Sequence, residues 1–278
     1  MNILIPTDFY ENSQNAIRYA LEYFANETVN FYILNASAQK SLQPAHELDD
    51  TVTATTASST VHEKEIGLLE EVERFKLLAK NANHHFFAVQ EEGSLIEVIR
   101  KQIEPKEIDY ILIGTKGAPK SGRQGIGSKT WEVITKVKCP IFVIPQGVQY
   151  KPVKNVTFLT DYNCIYRNRI IAGLSLALRL QNAALRVLHI RTTNAILTAS
   201  QTDNKGYLHY FFRDTKHSFH FLENKSIETG VQEFVNTWEI GMIAIVAKNL
   251  NLTQRLLFNP SSIDVTKTYK VPFLILHE

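Results

Sequence analysis

Cysteine is close to absent: Cys139 and Cys164 are the only two in 278 residues, and they form no C-x-x-C pair. That excludes a disulfide-stapled scaffold and points to reduced, structural thiols in a cytoplasmic protein. An excess of either charge is missing too. Thirty Lys and Arg against 28 Asp and Glu leave a net charge of +2, which removes the broad electrostatic case for nucleic acid or an anionic membrane as partner. No apolar run approaches the length of a membrane span. The opening residues Met1–Asp8 carry neither the basic start nor the long apolar centre of a secretory signal, so none is expected. Glycine is scarce, 12 residues in all, yet five of them stand between positions 114 and 127. What the chain does have is 44% hydrophobic residues, enough for a sizeable core in one large domain or two of ordinary size.

The glycines gather where an apolar strand ending at Gly114 gives way to a loop, and the loop to a helix beginning near Ser128. They read Gly114-x2-Gly117-x9-Gly127-Ser128. Strand, glycine loop and helix N-terminus together make a phosphate cradle. Glycine lets the backbone approach an anion closely, and unpaired N–H groups at the positive end of the helix dipole meet it. Gly114, Thr115, Lys116, Gly117, Gly127, Ser128, Lys129 and Thr130 are the candidate contacts. Neither G-x-G-x-x-G nor G-x4-G-K-[ST] fits, since Ser128 and not glycine stands directly before Lys129. Any one of these glycines could be an ordinary turn residue, and Ser128 an N-cap. Spacing, preceding strand and following helix together favour phosphate. Lys116, Lys120, Arg123 and Lys129 surround the loop with positive charge, although each alone reads as a solvated side chain.

This spacing resembles that of the ATP-binding members of the universal stress protein family, which carry G-x2-G-x9-G-[ST] here. Two more segments resemble the family in the right order. Asn2-Ile-Leu-Ile-Pro-Thr-Asp8, followed by Glu11-Asn12-Ser13 and an apolar-periodic helix, looks like its opening. Cys139-Pro140-Ile141-Phe142-Val143-Ile144-Pro145 looks like its closing strand. Lys129 departs from the small or apolar residue usual there. The resemblance implies strand order 3-2-1-4-5 and a bound adenine nucleotide, ATP or AMP, with or without Mg²⁺. It further implies that Asp8, with Pro6 and Thr7 before it, contacts the ribose or adenine side. Asn35 and Ala36 would lie near adenine through their backbone. For Asp8 the competing reading is a residue that caps the next helix or starts a turn.

The chain then repeats itself. Val153–Asp161 echoes the opening strand through Asp8, and Leu185–Ile190 echoes Phe31–Ala36. From Gly93 onward the halves register without a gap at an offset of 132, poor material for coincidence. At that offset Gly114 becomes Val246, Gly117 becomes Asn249, Gly127 becomes Asn259 and Ser128 becomes Pro260. A β-branched residue and a proline cannot supply the same approach or donors. A binding first domain, 1–147, and a structural second domain, 152–278, are expected, joined by the short link Pro145–Pro152 and packed as a pseudo-dimer.

Apolar strands alternate with helices: strand 2–6, helix 13–25, strand 29–36, helix about 62–81, strand 84–89, helix 94–103, strand 109–114, helix 128–137 and strand 140–144. That order predicts an α/β fold of two tandem doubly wound parallel-sheet domains, Rossmann-like, with ligand at the carboxyl ends of the strands. Residues 38–61 read as a polar loop, an insert or a lid, with a helical turn at His46–Asp50. Tyr207, Tyr210, Phe211 and Phe212 have helical spacing and predict a core or interdomain face. His217 and His220, three apart on a strand, would face opposite ways and share no metal. No catalytic or metal-binding residue is assigned. The expected role is nucleotide binding in stress response or regulation. The alternatives are slow ATP hydrolysis or phosphoryl transfer, for which no base is evident, and a scaffold that binds no nucleotide. A homodimer and a protein partner are left open.

Overall fold

Asn2–Pro6 form β1, a strand whose last four residues are buried, and this run of apolar residues sets the plan of the molecule. The computed structural model describes residues 1–37, 66–115, 127–191, 196–224, 226–248 and 269–278. They divide into two compact units, Met1–Leu112 and Ile113–Glu278. The 38–61 loop, Lys116, Gly117, Lys120, Arg123, Asn249, Asn259 and Pro260 lie outside the described residues.

In the first unit, β1 is followed by α1 (Glu11–Tyr23), β2 (Val29–Ser37), α2 (residues 66–78), β3 (His84–Glu92), α3 (Leu95–Ile103) and the start of β4 (Tyr110–Gly114). The strand order is β3-β2-β1-β4, all parallel, with Ile3 beside both Phe31 and Tyr110. Strands buried on both faces need apolar residues at every position, which explains why β1 and β4 read as continuous runs rather than alternations. Ala16, Ile17, Ala20 and Leu21 give α1 its buried stripe. Gly93, at φ 140°, donates its N–H to Ser37 O and turns the chain into α3, which opens on a Ser94–Glu97 capping box.

The second unit holds α4 (Ser128–Lys136), β5 (Ile141–Ile144), β6 (Asn155–Leu159), α5 (Asn168–Gln181), β7 (Ala184–Arg191), α6 (Ala199–Phe211), β8 (His217–Glu223), α7 (Ile227–Thr237), β9 (Met242–Val246) and β10 (Phe273–Leu276). Its strand order is β5-β10-β9-β6-β7-β8. From β10 to β8 this is the first half's pattern again, with β6 and β9 as the neighbours that β1 and β4 are. The closing strands of the two repeats pair antiparallel, Phe273 with Val143 and Ile275 with Ile141. All eight of their residues are buried.

Tight packing at β9's start makes one stability prediction. A Cβ on Gly241 would stand 3.1 Å from Val153 Cα, and Gly241 is tied by its N–H to Asn155 O at 2.9 Å. Gly241→Val should cost about 1–3 kcal/mol in denaturant unfolding; an unchanged midpoint would contradict this packing.

The aromatic run on α6 is not a core face. Tyr207, Tyr210 and Phe211 are exposed, and only Phe212, just past the helix, is buried. Leu208 is the one buried residue within α6. The inward side of this helix is polar because Gln201 and Asn204 grip the turn after β6.

Candidate functional site

Within the first unit, the carboxyl edge of β1 and β2 is held by a polar network. Thr7 continues the ladder, its N–H donating to Leu34 O at 2.8 Å, and its side chain is buried. Thr7 Oγ1 donates to Glu71 Oε2 at 2.8 Å and accepts from Phe9 N at 3.0 Å. Phe9 sits at φ 66°, left-handed backbone that turns the chain sharply out of the strand. Asp8 is exposed, and its Oδ1 accepts from Tyr10 N at 3.3 Å and Ser13 Oγ at 3.0 Å. The carboxylate therefore holds the turn that leads into α1, whose N-cap is Tyr10, a turn-forming role that competes with ligand contact at this position. Asn35 is buried and bridges three strands: Nδ2 donates to Thr7 O at 2.9 Å, and Oδ1 accepts from Gln90 Nε2 at 3.1 Å. Pro6 ends β1, and Ala36 lies on β2 beside Glu91.

Glu71 on α2 was not singled out from the sequence. Burial pushes its carboxyl above the ordinary value of 4.5, against the Thr7 hydrogen bond and the nearby Arg74, which favour the charged form. The native state thus holds this proton to higher pH than the unfolded chain. The stability linked to it is full below pH 4.5 and lost as pH rises through the native value. Glu71→Gln removes this dependence, so the variant should gain on wild type in Tm as pH is raised from 4.5. A constant difference across the series would contradict the assignment.

In the second unit, Gly114 ends β4, and Thr115 N donates to Ile144 O at 3.0 Å. Thr130 is buried and its Oγ1 reaches back to Gly114 O at 3.4 Å, tying α4 to the strand end. Gly127 is the N-cap of α4, and no side chain caps this helix. Among the described residues no side chain caps the first N–H groups of the helix, and a helix start in that state favours an anion. Ser128 and Lys129 stand in this first turn, both exposed. Among the described residues a Cβ on Gly127 would meet nothing within 4 Å, so their packing does not require glycine there.

The second repeat rebuilds the strand-end turn almost bond for bond. Thr160 N donates to Leu188 O at 3.0 Å, Tyr162 N to Thr160 Oγ1 at 2.9 Å and Asn163 N to Asp161 Oδ1 at 3.0 Å. Tyr162 stands at φ 58°, and His189 takes Asn35's place by donating from Nδ1 to Thr160 O at 2.9 Å. The two turns differ in where the aromatic ring goes. That of Tyr162 is fully buried, 5.2 Å from the His189 ring and 6.3 Å from Phe221. Gln201 and Asn204 of α6 hold the turn by donating to Asp161 O and Tyr162 O, both at 2.8 Å. Tyr162 thus plugs the carboxyl ends of β6, β7 and β8. A cleft of about 150 Å³ is left beside it, lined by Leu159, Thr160, Asp161, Asn163, Cys164, Val246 and Lys248. Burial, then the adjacent Glu278 carboxylate, pushes the Cys164 thiol up to about 12, so it stays protonated and unreactive.

Among the described residues no three His, Cys, Asp or Glu side chains come together as metal ligands. His217 pairs with His209 at 3.0 Å and His220 with Ser218 at 2.7 Å, so the two histidines go to different neighbours. No described helix is long and apolar enough to cross a membrane.

Tandem doubly wound α/β halves, with a glycine-bordered strand-to-helix turn in the first and an aromatic plug in the second, define the class of protein. The model of the universal stress protein family matches residues 1–145, and the chain belongs to that family as a tandem member. A universal stress protein from Archaeoglobus fulgidus is similar over 99% of this chain and 98% of its own, at 15% identity and a TM-score of 0.69. A functionally unknown protein from Pseudomonas aeruginosa covers 99% of this chain with 92% of its own, at 12% identity and a TM-score of 0.52. The universal stress protein UspA from Lactobacillus plantarum matches 52% of this chain with 96% of its own length, at 23% identity and a TM-score of 0.40. No curated protein matches the sequence.

Proposed function

We propose that this protein binds one adenine nucleotide, ATP or AMP with or without Mg²⁺, through its first repeat, and acts as a nucleotide-responsive regulator in the stress response. The observation that carries the reading is the uncapped start of α4, reached from β4 through a Gly-x2-Gly-x9-Gly-Ser spacing. Gly114, Thr115, Lys116, Gly117, Gly127, Ser128, Lys129 and Thr130 would hold the phosphates. Pro6, Thr7, Asp8, Asn35 and Ala36 would serve the ribose and base. Phosphate oxygens accept from backbone N–H groups, the glycines admit the close approach, and lysine neutralises the added charge. Slow hydrolysis or phosphoryl transfer, which would need a positioned base, is the alternative to binding alone, and product formation from ATP tells the two apart. The second repeat, closed by Tyr162, would carry no nucleotide.

A ligand that binds only the native state raises stability by about 2.7 kcal/mol at a hundred times Kd. ATP and AMP should therefore raise Tm with concentration, and GTP should not. Equal shifts from GTP, or none from any nucleotide, would refute the reading.

A further inference from the structure

Among the described residues the sheet of the second unit ends at β8, and the outer side of that strand is its own complement. In the ladder with β7, Leu185 N donates to Lys216 O at 2.8 Å and Asn224 N to Arg191 O at 3.1 Å. Even-numbered residues therefore turn their backbone groups inward, and alternation turns those of His217, Phe219, Phe221 and Glu223 outward. Phe219 and Phe221 share the face toward α6, where Lys205 Nζ stands 5.6 and 4.7 Å from their ring centres. Phe221 and, on α6, Tyr207, Tyr210 and Phe211 are exposed. An open strand edge bordered by exposed aromatic rings is a template for another strand.

We propose that β8 and the adjoining surface of α6 are where two copies of this chain meet, their β8 strands antiparallel about a twofold axis at His220. In that register His217 falls opposite the partner's Glu223, and Phe219 opposite the partner's Phe221. These pairs use only outward-facing residues, as the bonded positions of an antiparallel ladder require. His220, whose backbone groups go to β7, falls at a non-bonded position opposite its own copy. Basic–acidic and aromatic pairs directly opposite one another stabilise such a ladder. A slip of two residues either way keeps the donors matched but opposes Phe221 or Phe219 to its own copy and breaks the His–Glu pairs. One register is thus preferred, and the interface is closed and isologous. A twofold normal to the sheet leaves both α6 helices on one face, so their exposed rings adjoin. The contact does not depend on nucleotide.

The test is sedimentation of the full chain over a concentration series, with two variants. Wild type should dimerise. Phe221→Pro removes an outward N–H and no bond to β7, a substitution that edge strands tolerate, so it should give a folded monomer. His220→Cys brings two thiols together at the axis, with Cα atoms about 4.5 Å apart at a non-bonded position, within disulfide range. Mild oxidation should link it, while Ser218→Cys, opposite the partner's Leu222, should stay unlinked. If Phe221→Pro does not fold, the cysteine pair still decides. A chain that is monomeric throughout overturns the proposal. So does a dimer that links at Ser218→Cys but not at His220→Cys, or one that Phe87→Lys on β3 dissolves and Phe221→Pro does not.

Discussion

Gly127→Val abolishes nucleotide binding and leaves the fold intact: that is the expected result with the largest effect on function. The side chain would enter space that no part of the described chain fills, since nothing lies within 4 Å of the added Cβ. Gly127 has φ −54°, which any residue adopts, and it contributes no side-chain cap. Valine there should move the unfolding midpoint little. The same space is where a phosphate must approach the first N–H groups of α4, and a branched side chain would stand in its way. Affinity should fall at least tenfold, about 1.4 kcal/mol, in a titration with ATP or AMP. Unchanged affinity with a native melting curve would remove α4 from the site.

Tyr162 gives the largest expected effect on stability, and the sign depends on the replacement. Its ring is fully buried against His189 and Phe221, but its hydroxyl finds no hydrogen-bond partner among the described residues. A buried hydroxyl without a partner costs free energy that an apolar isostere does not. Tyr162→Phe should therefore be neutral or stabilising by up to about 1 kcal/mol. Tyr162→Ala keeps the left-handed backbone of a non-glycine residue but leaves a cavity at the ends of three strands, and should cost about 3–5 kcal/mol. Equilibrium denaturation of both variants checks the pair. A Tyr162→Phe variant that loses as much as Tyr162→Ala would mean the hydroxyl is bonded and the plug is polar.

How far the sequence foretold this depends on the element. The strand expected at 2–6 is found there, and those at 29–36 and 109–114 are shifted by one residue at an end. Continuous apolar runs buried on both faces leave no alternative period to confuse them. The tandem repeat was legible for the same reason. Side-chain networks at strand ends were not. Glu71 sits in the run Glu70-Glu71-Val72-Glu73, which reads as a solvated face. Yet Leu68, Val72 and Phe75 form the buried stripe of α2, and Glu71, three after Leu68, falls on it. Periodicity alone could have marked it as a buried acid. Tyr162 follows Asp161 as Phe9 follows Asp8, but nothing in that correspondence shows that one ring turns inward and is fully covered while the other stays half-buried. The α6 aromatics misled because helical spacing identifies a face without saying what it faces. There the inward side is taken by Gln201, Asn204 and Leu208.

Calorimetric titration of the full chain with ATP, AMP and GTP, with and without Mg²⁺, tests the central claim most directly. A live glycine turn in the first repeat and a plugged second repeat predict one adenine nucleotide per chain and no GTP. Two nucleotides per chain would contradict the plug, and none would contradict the site.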